Sequence, residues 1–247
     1  MLIYGIHSVL EAIRAGRVSQ LRVSDRGGGR IGDAIGAAER AGVAVRRVRA
    51  TDLDRAARGG VHQGVVAEVE DDARDYDIAE LVSGAAGAPL LVVLDGIEDP
   101  HNLGAILRTV DAAGGDGVIR QSRHAAPLGG VAAKAAAGAV SHVRVAEVVN
   151  IARAVEELKA AGVWTVGLAG DSPKRYDQID LTLPTAVVLG AEGTGLRRLV
   201  RERCDWLVSI PMQGHVQSLN VSVAAGVALF EAVRQRQASA RKEPHGE

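Results

Sequence analysis

From residue 89 onward the chain alternates between two kinds of apolar patterning. Short runs without interruption, "PLLVVLD" (89–95), "DGVI" (116–119), "VWTVGLAG" (163–170), "TAVVLG" (185–190) and "WLVSIPM" (206–212), predict strands. Between them "NLGAILRTVDAAG", "NIARAVEELKAAG", a segment from Leu196 and the long C-terminal stretch predict helices. In the helix over 102–114, Leu103, Ile106, Leu107 and Val110 share one face and Arg108 lies on the other. Strands apolar on both sides and separated by helices predict an α/β fold with a mostly parallel sheet covered on both faces. Ligands of such sheets sit at the carboxyl ends of the strands.

The N-terminal part reads differently. A helix over Ser8–Ala15, a strand over Gln20–Ser24, a glycine loop "RGGGR", a helix over Ile31–Ala41, a strand over Val43–Val48, a further helix and a strand over Val65–Val69 make a small α/β module. It is expected to occupy residues 1–70. The acidic stretch "EDDARDYDIAE" then marks a linker, drawn over 71–88, ahead of a larger domain over 89–237. The segment "QASARKEPHGE" leads into a tail over 238–247 that is expected to be disordered.

Composition narrows the class. The 247 residues, 47% hydrophobic and 24% charged, are enough for a sizeable core. A net charge of −1 excludes an argument for nucleic-acid binding from bulk charge, so any basic surface must be local. Residues 1–70 hold 11 arginines and no lysine against 8 acids. Six of those arginines (Arg40, Arg46, Arg47, Arg49, Arg55 and Arg58) fall within 19 residues, which suits phosphate contacts and equally suits a solvated face. Cys204 is the sole cysteine, so an intramolecular disulfide and a cysteine-based metal cluster are excluded and a reducing cytoplasm fits. The N-terminus carries Glu11 and Arg14 in a short helical pattern and does not read as a signal peptide. Residues 207–230 lack Asp, Glu, Lys and Arg, but Pro211, Gln213, His215, Gln217 and Asn220 argue against a membrane span.

Three strand ends carry candidate chemistry. The first, "DGIEDPHNLGAILRT", places Pro100 and Asn102 at the turn, with Asn102 expected as the helix N-cap. The second, "TAVVLGAEGTGL", follows its strand with Gly190, Gly193 and Gly195 and has Glu192 as the only charge in the turn. Such glycines let backbone N–H groups approach a ligand or adopt positive φ. The third, "GHVQSLNVSVAAG", gathers His215, Gln217, Ser218, Asn220 and Ser222 ahead of an apolar helix, with Ser218 expected to cap a helix from Leu219. Capping alone explains Ser218 but not the whole set, and neutral hydrogen-bonding groups at a helix start suit a polar ligand or a hydroxyl substrate. The patterns H-E-x-x-H, G-x-S-x-G, the dinucleotide G-x-G-x-x-G and the phosphate-loop Lys-Ser/Thr pair are all missing.

Taken together, "LDGIEDPHNLGAILRTVDAAG", "VVLGAEGTGLRRLVRERCDWLVSIPM" and "SLNVSVAAGVALFEAVRQ" resemble, in order and spacing, the three motifs of the SpoU family of RNA ribose 2'-O-methyltransferases. "YGIHSVLEAI" and "VHQGVVAEV" resemble the substrate-binding domain of the subgroup that modifies 23S rRNA. The resemblance implies a SPOUT fold with a deep trefoil knot, S-adenosylmethionine as cofactor, a homodimer, and no metal. It implies methyl transfer to the 2'-OH of a guanosine in 23S rRNA or its precursor particle, in the cytoplasm. Alternatives are the same chemistry on tRNA, or a non-catalytic RNA-binding assembly factor.

Carried over by motif, the catalytic set would be Asn102, Arg108, Glu192, Asn220 and Ser222. Cofactor contacts would come from Leu168, Gly170, Gly190, Ile210, Met212, Ser218 and Leu219, and RNA contacts from Arg46, Arg47, Arg49 and Arg58. A guanidinium stays charged, so Arg108 would hold the target phosphate and stabilise the developing alkoxide, with Asn102 or Asn220 orienting the hydroxyl. In a homodimer the outward-facing Arg108 would reach the partner's site. This chain departs from the family pattern at Ala136, where a serine is common, and at His215 and Gln217.

Overall fold

The computed structural model describes residues 2–25, 29–69, 76–123 and 125–241. The elements begin with β1 (Leu2–Tyr4), α1 (Ile6–Arg14), β2 (Val18–Ser24), α2 (Gly29–Arg40), β3 (Ala44–Val48), α3 (Ala50–Ala56), β4 (Val65–Val69) and α4 (Ile78–Ser83). They continue with β5 (Leu90–Asp95), α5 (Pro100–Ala112), β6 (Gly117–Gln121), α6 (Val131–Ala135), β7 (Val145–Val148) and α7 (Ile151–Ala160). β8 (Trp164–Leu168), β9 (Thr185–Gly190), α8 (Arg198–Arg203), β10 (Trp206–Val208) and α9 (Val221–Ala240) complete them. The chain divides into two compact units, one made of residues 1–74, 99–108 and 126–142, the other of 75–98, 109–125 and 143–247.

The first unit is built on a four-stranded sheet in the order β1-β4-β2-β3, with β2 and β3 parallel and β4 antiparallel to both its neighbours. Val9, Ala12, Leu21, Val23, Ile31 and Ala34 form the core between one sheet face and helices α1 and α2. On the opposite face Leu53 of α3 packs with Tyr4 and Val66. The pleat divides the proposed RNA-contacting arginines. On edge strand β3, Arg46 pairs in register with Arg22 on the α3 side, whereas Arg47 pairs with Val23 on the α1–α2 side. Arg46, Arg47, Arg49 and Arg58 are all exposed, but they do not share one face. Gly29 and Arg30, expected in a loop, already belong to α2; the rest of "RGGGR" lies outside the described residues.

Within the segment expected to be a linker, residues 76–88 are folded and 71–75 lie outside the described residues. The acidic composition hid a capping box: Asp77 accepts from the Glu80 amide at 2.7 Å, and Glu80 accepts from the Asp77 amide at 3.1 Å. Ile78 and Leu81 of α4 are then buried in the core of the second unit.

That unit carries a six-stranded, wholly parallel sheet in the order β10-β8-β9-β5-β6-β7. Leu91, Val93, Ile119 and Val188 on one face pack against Ile151, Val155 and Leu158 of α7. β5 and all but the last residue of β9 are buried along their length, which is why both read as unbroken apolar runs. α9 returns from β10 to pack on β9. Arg236 anchors it, donating to the carbonyls of Leu181 (3.0 Å), Leu183 (3.0 Å), Ala88 (2.6 Å) and Pro89 (3.0 Å). α9 runs to Ala240, so residues 238–240 of the expected tail are helical, and 242–247 lie outside the described residues. Among the described residues no helix is long and apolar enough to cross a membrane.

Candidate cofactor site

At the carboxyl ends of β8, β9 and β10, within the second unit, the chain encloses a cavity of about 810 Å3. Small-molecule sites occupy roughly 300–1,000 Å3, so the space is that of a cofactor rather than of a water or an ion. Leu168 and Gly170 line it from the end of β8, and Gly190 from the end of β9. Ile210, Met212, Ser218 and Leu219 close it from the segment between β10 and α9. The seven residues expected to hold a cofactor therefore meet around one space.

The turn after β9 requires its glycines. A Cβ on Gly190 would lie 2.1 Å from the carbonyl carbon of Gly195 and 2.3 Å from the Leu196 nitrogen, because the chain folds straight back over the strand end. Gly193 and Gly195 have φ of +78° and +68°, and the Gly195 amide donates to the Ala191 carbonyl at 2.8 Å. This fold-back presents Glu192 to the cavity.

Glu192 meets Asn220 there: the Asn220 side-chain amide donates to Glu192 Oε1 at 2.7 Å. Asn220, not Ser218, is the N-cap of α9, accepting at Oδ1 from the Ser222 and Val223 amides. Ser and Asn are both good caps, but residues 214–219 run along the cavity outside the helix, so it is Asn220 that stands beside the first amides of α9. Ser222 is not part of that wall. Its hydroxyl donates to Asn220 Oδ1 at 2.5 Å, so it fixes the side chain that is.

Asn102 and Arg108 do not line the cavity. α5 begins at Pro100, and Asp99 rather than Asn102 serves its first turn, accepting from the His101 amide at its side chain (2.9 Å) and from the Leu103 amide at its carbonyl (3.0 Å). Asn102 is 6% exposed inside that turn, while the Arg108 side chain is exposed and makes no hydrogen bond or ion pair among the described residues. The position of the family's usual serine is equally tight: Ala136 is buried, and a Cβ on Gly104 of α5 would sit 2.5 Å from the Ala132 carbonyl oxygen and 3.0 Å from the Ala136 nitrogen.

Four further charged residues shape the site. Asp95, 1% exposed at the end of β5, accepts from the Arg197 backbone amide at 2.8 Å and from its Nε at 2.6 Å, tying the exit of the glycine turn to the neighbouring strand. Asp171 and Arg201 line the cavity and join through a 2.9 Å hydrogen bond from Nη2 to Oδ2. That bond holds the Asp171 carboxyl below the ordinary carboxylate range and raises the Arg201 guanidinium. The partners lie 102 and 30 residues apart in sequence, so nothing local signalled either pair. Among the described residues no group of three or more His, Cys, Asp and Glu could hold a metal ion.

A cavity at the carboxyl ends of a parallel sheet, walled by a glycine turn and a capped helix start, defines a nucleotide-type cofactor-binding α/β protein. Residues 89–230 match the model of the SpoU rRNA methylase family, and residues 2–73 match that of the RNA 2'-O ribose methyltransferase substrate-binding domain. The chain belongs to the SpoU rRNA methylase family. It is 45% identical over 240 residues to the 23S rRNA (guanosine-2'-O-)-methyltransferase RlmB of Pseudomonas putida, covering 95% of this chain and 96% of that one. Identity to RlmB of Pseudomonas syringae is 44% over 98% of both chains. The crystal structure of the SpoU methyltransferase AviRb from Streptomyces viridochromogenes in complex with AdoMet superposes with a TM-score of 0.80 at 28% identity, over 96% of this chain and 91% of that one.

Proposed function

We propose that this protein transfers a methyl group from S-adenosylmethionine to the ribose 2'-OH of a guanosine in 23S rRNA. The similarity that carries this reading is the one to enzymes named for that reaction, which extends over 95% of the chain and so includes the substrate-binding part. Solved relatives described as tRNA-modifying match less: the TrmH/SpoU enzyme of A. aeolicus covers 62% of this chain at a TM-score of 0.56.

The cavity suits the cofactor. Leu168, Ile210 and Leu219 offer apolar surface to an adenine ring, and Gly190 lines the same space with the Gly195–Leu196 backbone folded directly over it. When bound, S-adenosylmethionine supplies an electrophilic methyl group on a sulfonium centre. The residues around it have to bring the ribose hydroxyl into line and exclude water. In this reading Glu192 and Asn220 fix that end of the cavity, Ser222 holds Asn220, Asn102 or Asn220 orients the hydroxyl, and Arg108 holds the target phosphate and stabilises the alkoxide as it forms.

Arg46, Arg49 and Arg58 would grip RNA phosphates, with Arg47 contacting RNA from the other side of the sheet. The working form would be a homodimer in the cytoplasm, acting on 23S rRNA or an assembling particle. The knotted chain path belongs to the same reading, and the return of α9 from edge strand β10 to β9 and the carbonyls of Ala88 and Pro89 supports it. The test is transfer of labelled methyl to unmodified 23S rRNA and, separately, to tRNA, with the position mapped by resistance to alkali. Label at one guanosine of 23S rRNA is expected. Label in tRNA alone would replace the substrate, and label in neither RNA nor an assembling particle would overturn the reading.

A further inference from the structure

Asp171 and Arg201 form an ion pair whose position stability does not explain. Their side chains are 67% and 39% exposed, and a pair so exposed contributes roughly 0–1 kcal/mol to folding. Both nevertheless face the cavity, one from the segment after β8 and the other from α8. Among the described residues the only other carboxylate of the wall, Glu192, is already engaged by the Asn220 amide. Asp171 and Arg201 therefore present one positive and one negative group side by side in a wall that is otherwise almost uncharged.

We propose that Asp171 and Arg201 bind the amino-acid end of the cofactor, Arg201 taking its α-carboxylate and Asp171 its α-ammonium group. This rests on the reading of the cavity as an S-adenosylmethionine site. The free amino-acid end is a zwitterion, and placing either charge against apolar surface without a partner is costly. A guanidinium has five donors in a fork that matches a carboxylate, and in this pair a single one is used. Asp171 is also engaged by its own backbone amide, and its carboxylate keeps acceptor positions for an ammonium. Four charges of alternating sign satisfy one another where two satisfied only themselves. The assignment also orients the cofactor, putting its amino-acid end at Asp171 and Arg201.

The test uses the full chain and calorimetric titration with two ligands, S-adenosylhomocysteine and 5'-methylthioadenosine, which lacks the amino-acid end. In Arg201→Gln and in Asp171→Asn, S-adenosylhomocysteine affinity should fall about ten- to a hundredfold, as for loss of a hydrogen bond to a charged group, while methylthioadenosine affinity stays within about twofold. The exchanged pair, Arg201→Asp with Asp171→Arg, restores the ion pair but inverts the charges offered to the ligand, so it should not recover S-adenosylhomocysteine binding. Recovery in the exchanged pair, equal losses for both ligands, or no loss for either would overturn the proposal while leaving the cofactor site standing. Failure of the unaltered protein to bind both ligands would instead remove the reading of the cavity itself, and this assignment with it.

Discussion

Asn220 is bonded at both ends of its amide: its nitrogen donates to Glu192 at 2.7 Å, and its oxygen caps α9 at the Ser222 amide at 2.9 Å. One side chain therefore joins the glycine turn after β9 to the start of the C-terminal helix. Asn220→Asp separates the two roles, since aspartate caps as well as asparagine but sets a carboxylate against Glu192. Thermal stability should change by less than about 1 kcal/mol, and methyl transfer at saturating cofactor should fall at least about tenfold. Adding Glu192→Gln restores a donor across the gap and should recover part of the rate if the hydrogen bond, rather than the charge of Glu192, is what the site needs.

Asp95 makes a comparable connection at the far side of the same turn. It is buried at the end of β5, and Arg197 gives it two hydrogen bonds, one from the backbone. Asp95→Ala leaves the Arg197 amide without its acceptor and should cost about 2 kcal/mol in urea unfolding, less than the loss of a fully buried pair because the guanidinium is half exposed and can turn to water. Since the glycine turn lies between β9 and Arg197, S-adenosylhomocysteine affinity should fall as well. A stability loss with unchanged affinity would limit Asp95 to a structural role.

Cys204 offers a probe of folding. Burial, with a smaller contribution from the nearby Asp205 carboxylate, pushes its thiol up to about 12, whereas an unfolded thiol ionises near about 8.5. At pH 8.5 the folded thiol is almost wholly protonated and should alkylate slowly, while the unfolded chain reacts freely. Labelling by iodoacetamide should then follow the unfolding transition seen by circular dichroism. Fast labelling of the native protein would show that the packing around Val200 and Gly167 opens locally.

The strands of the parallel sheet could be read from sequence because both their faces are buried, leaving no alternation to blur the apolar runs. The helices could be read by period, but their starts could not. Asn102 and Ser218 are as good caps on paper as Asp99 and Asn220, and only the tertiary path decides which amide each can reach. α4 lay inside an acidic run, with only Ile78 and Leu81 to give it away, and β1 is three residues long. The neutral wall of the cavity was legible only through the resemblance to the SpoU family. Asp95, Asp171 and Arg201 were not, since each looks like any surface charge until a residue distant in sequence is brought beside it. The arginine run showed the converse limit, because composition put Arg46 and Arg47 together and the pleat sends them to opposite faces.

α9 bears on the expected dimer. Its inner face buries Val221, Ala225, Ala228, Leu229 and Ala232, yet Val223 and Phe230, seven residues apart and so on one stripe, are 51% and 50% exposed. A helix apolar on both sides is the pattern of a buried helix, which a second copy of this chain would satisfy by covering the outer stripe. Phe230→Glu should turn a dimer into a folded monomer in light scattering, because the inner face keeps its packing. The same arrangement would give Arg108 a function in trans. Arg108→Ala and Glu192→Ala chains, each inactive alone, should after mixing and exchange recover about a quarter of the unaltered activity, since half the dimers are then mixed and each holds one intact site of two. No recovery despite exchange would place Arg108 and Glu192 of one chain in the same site, and the dimer would then serve stability alone.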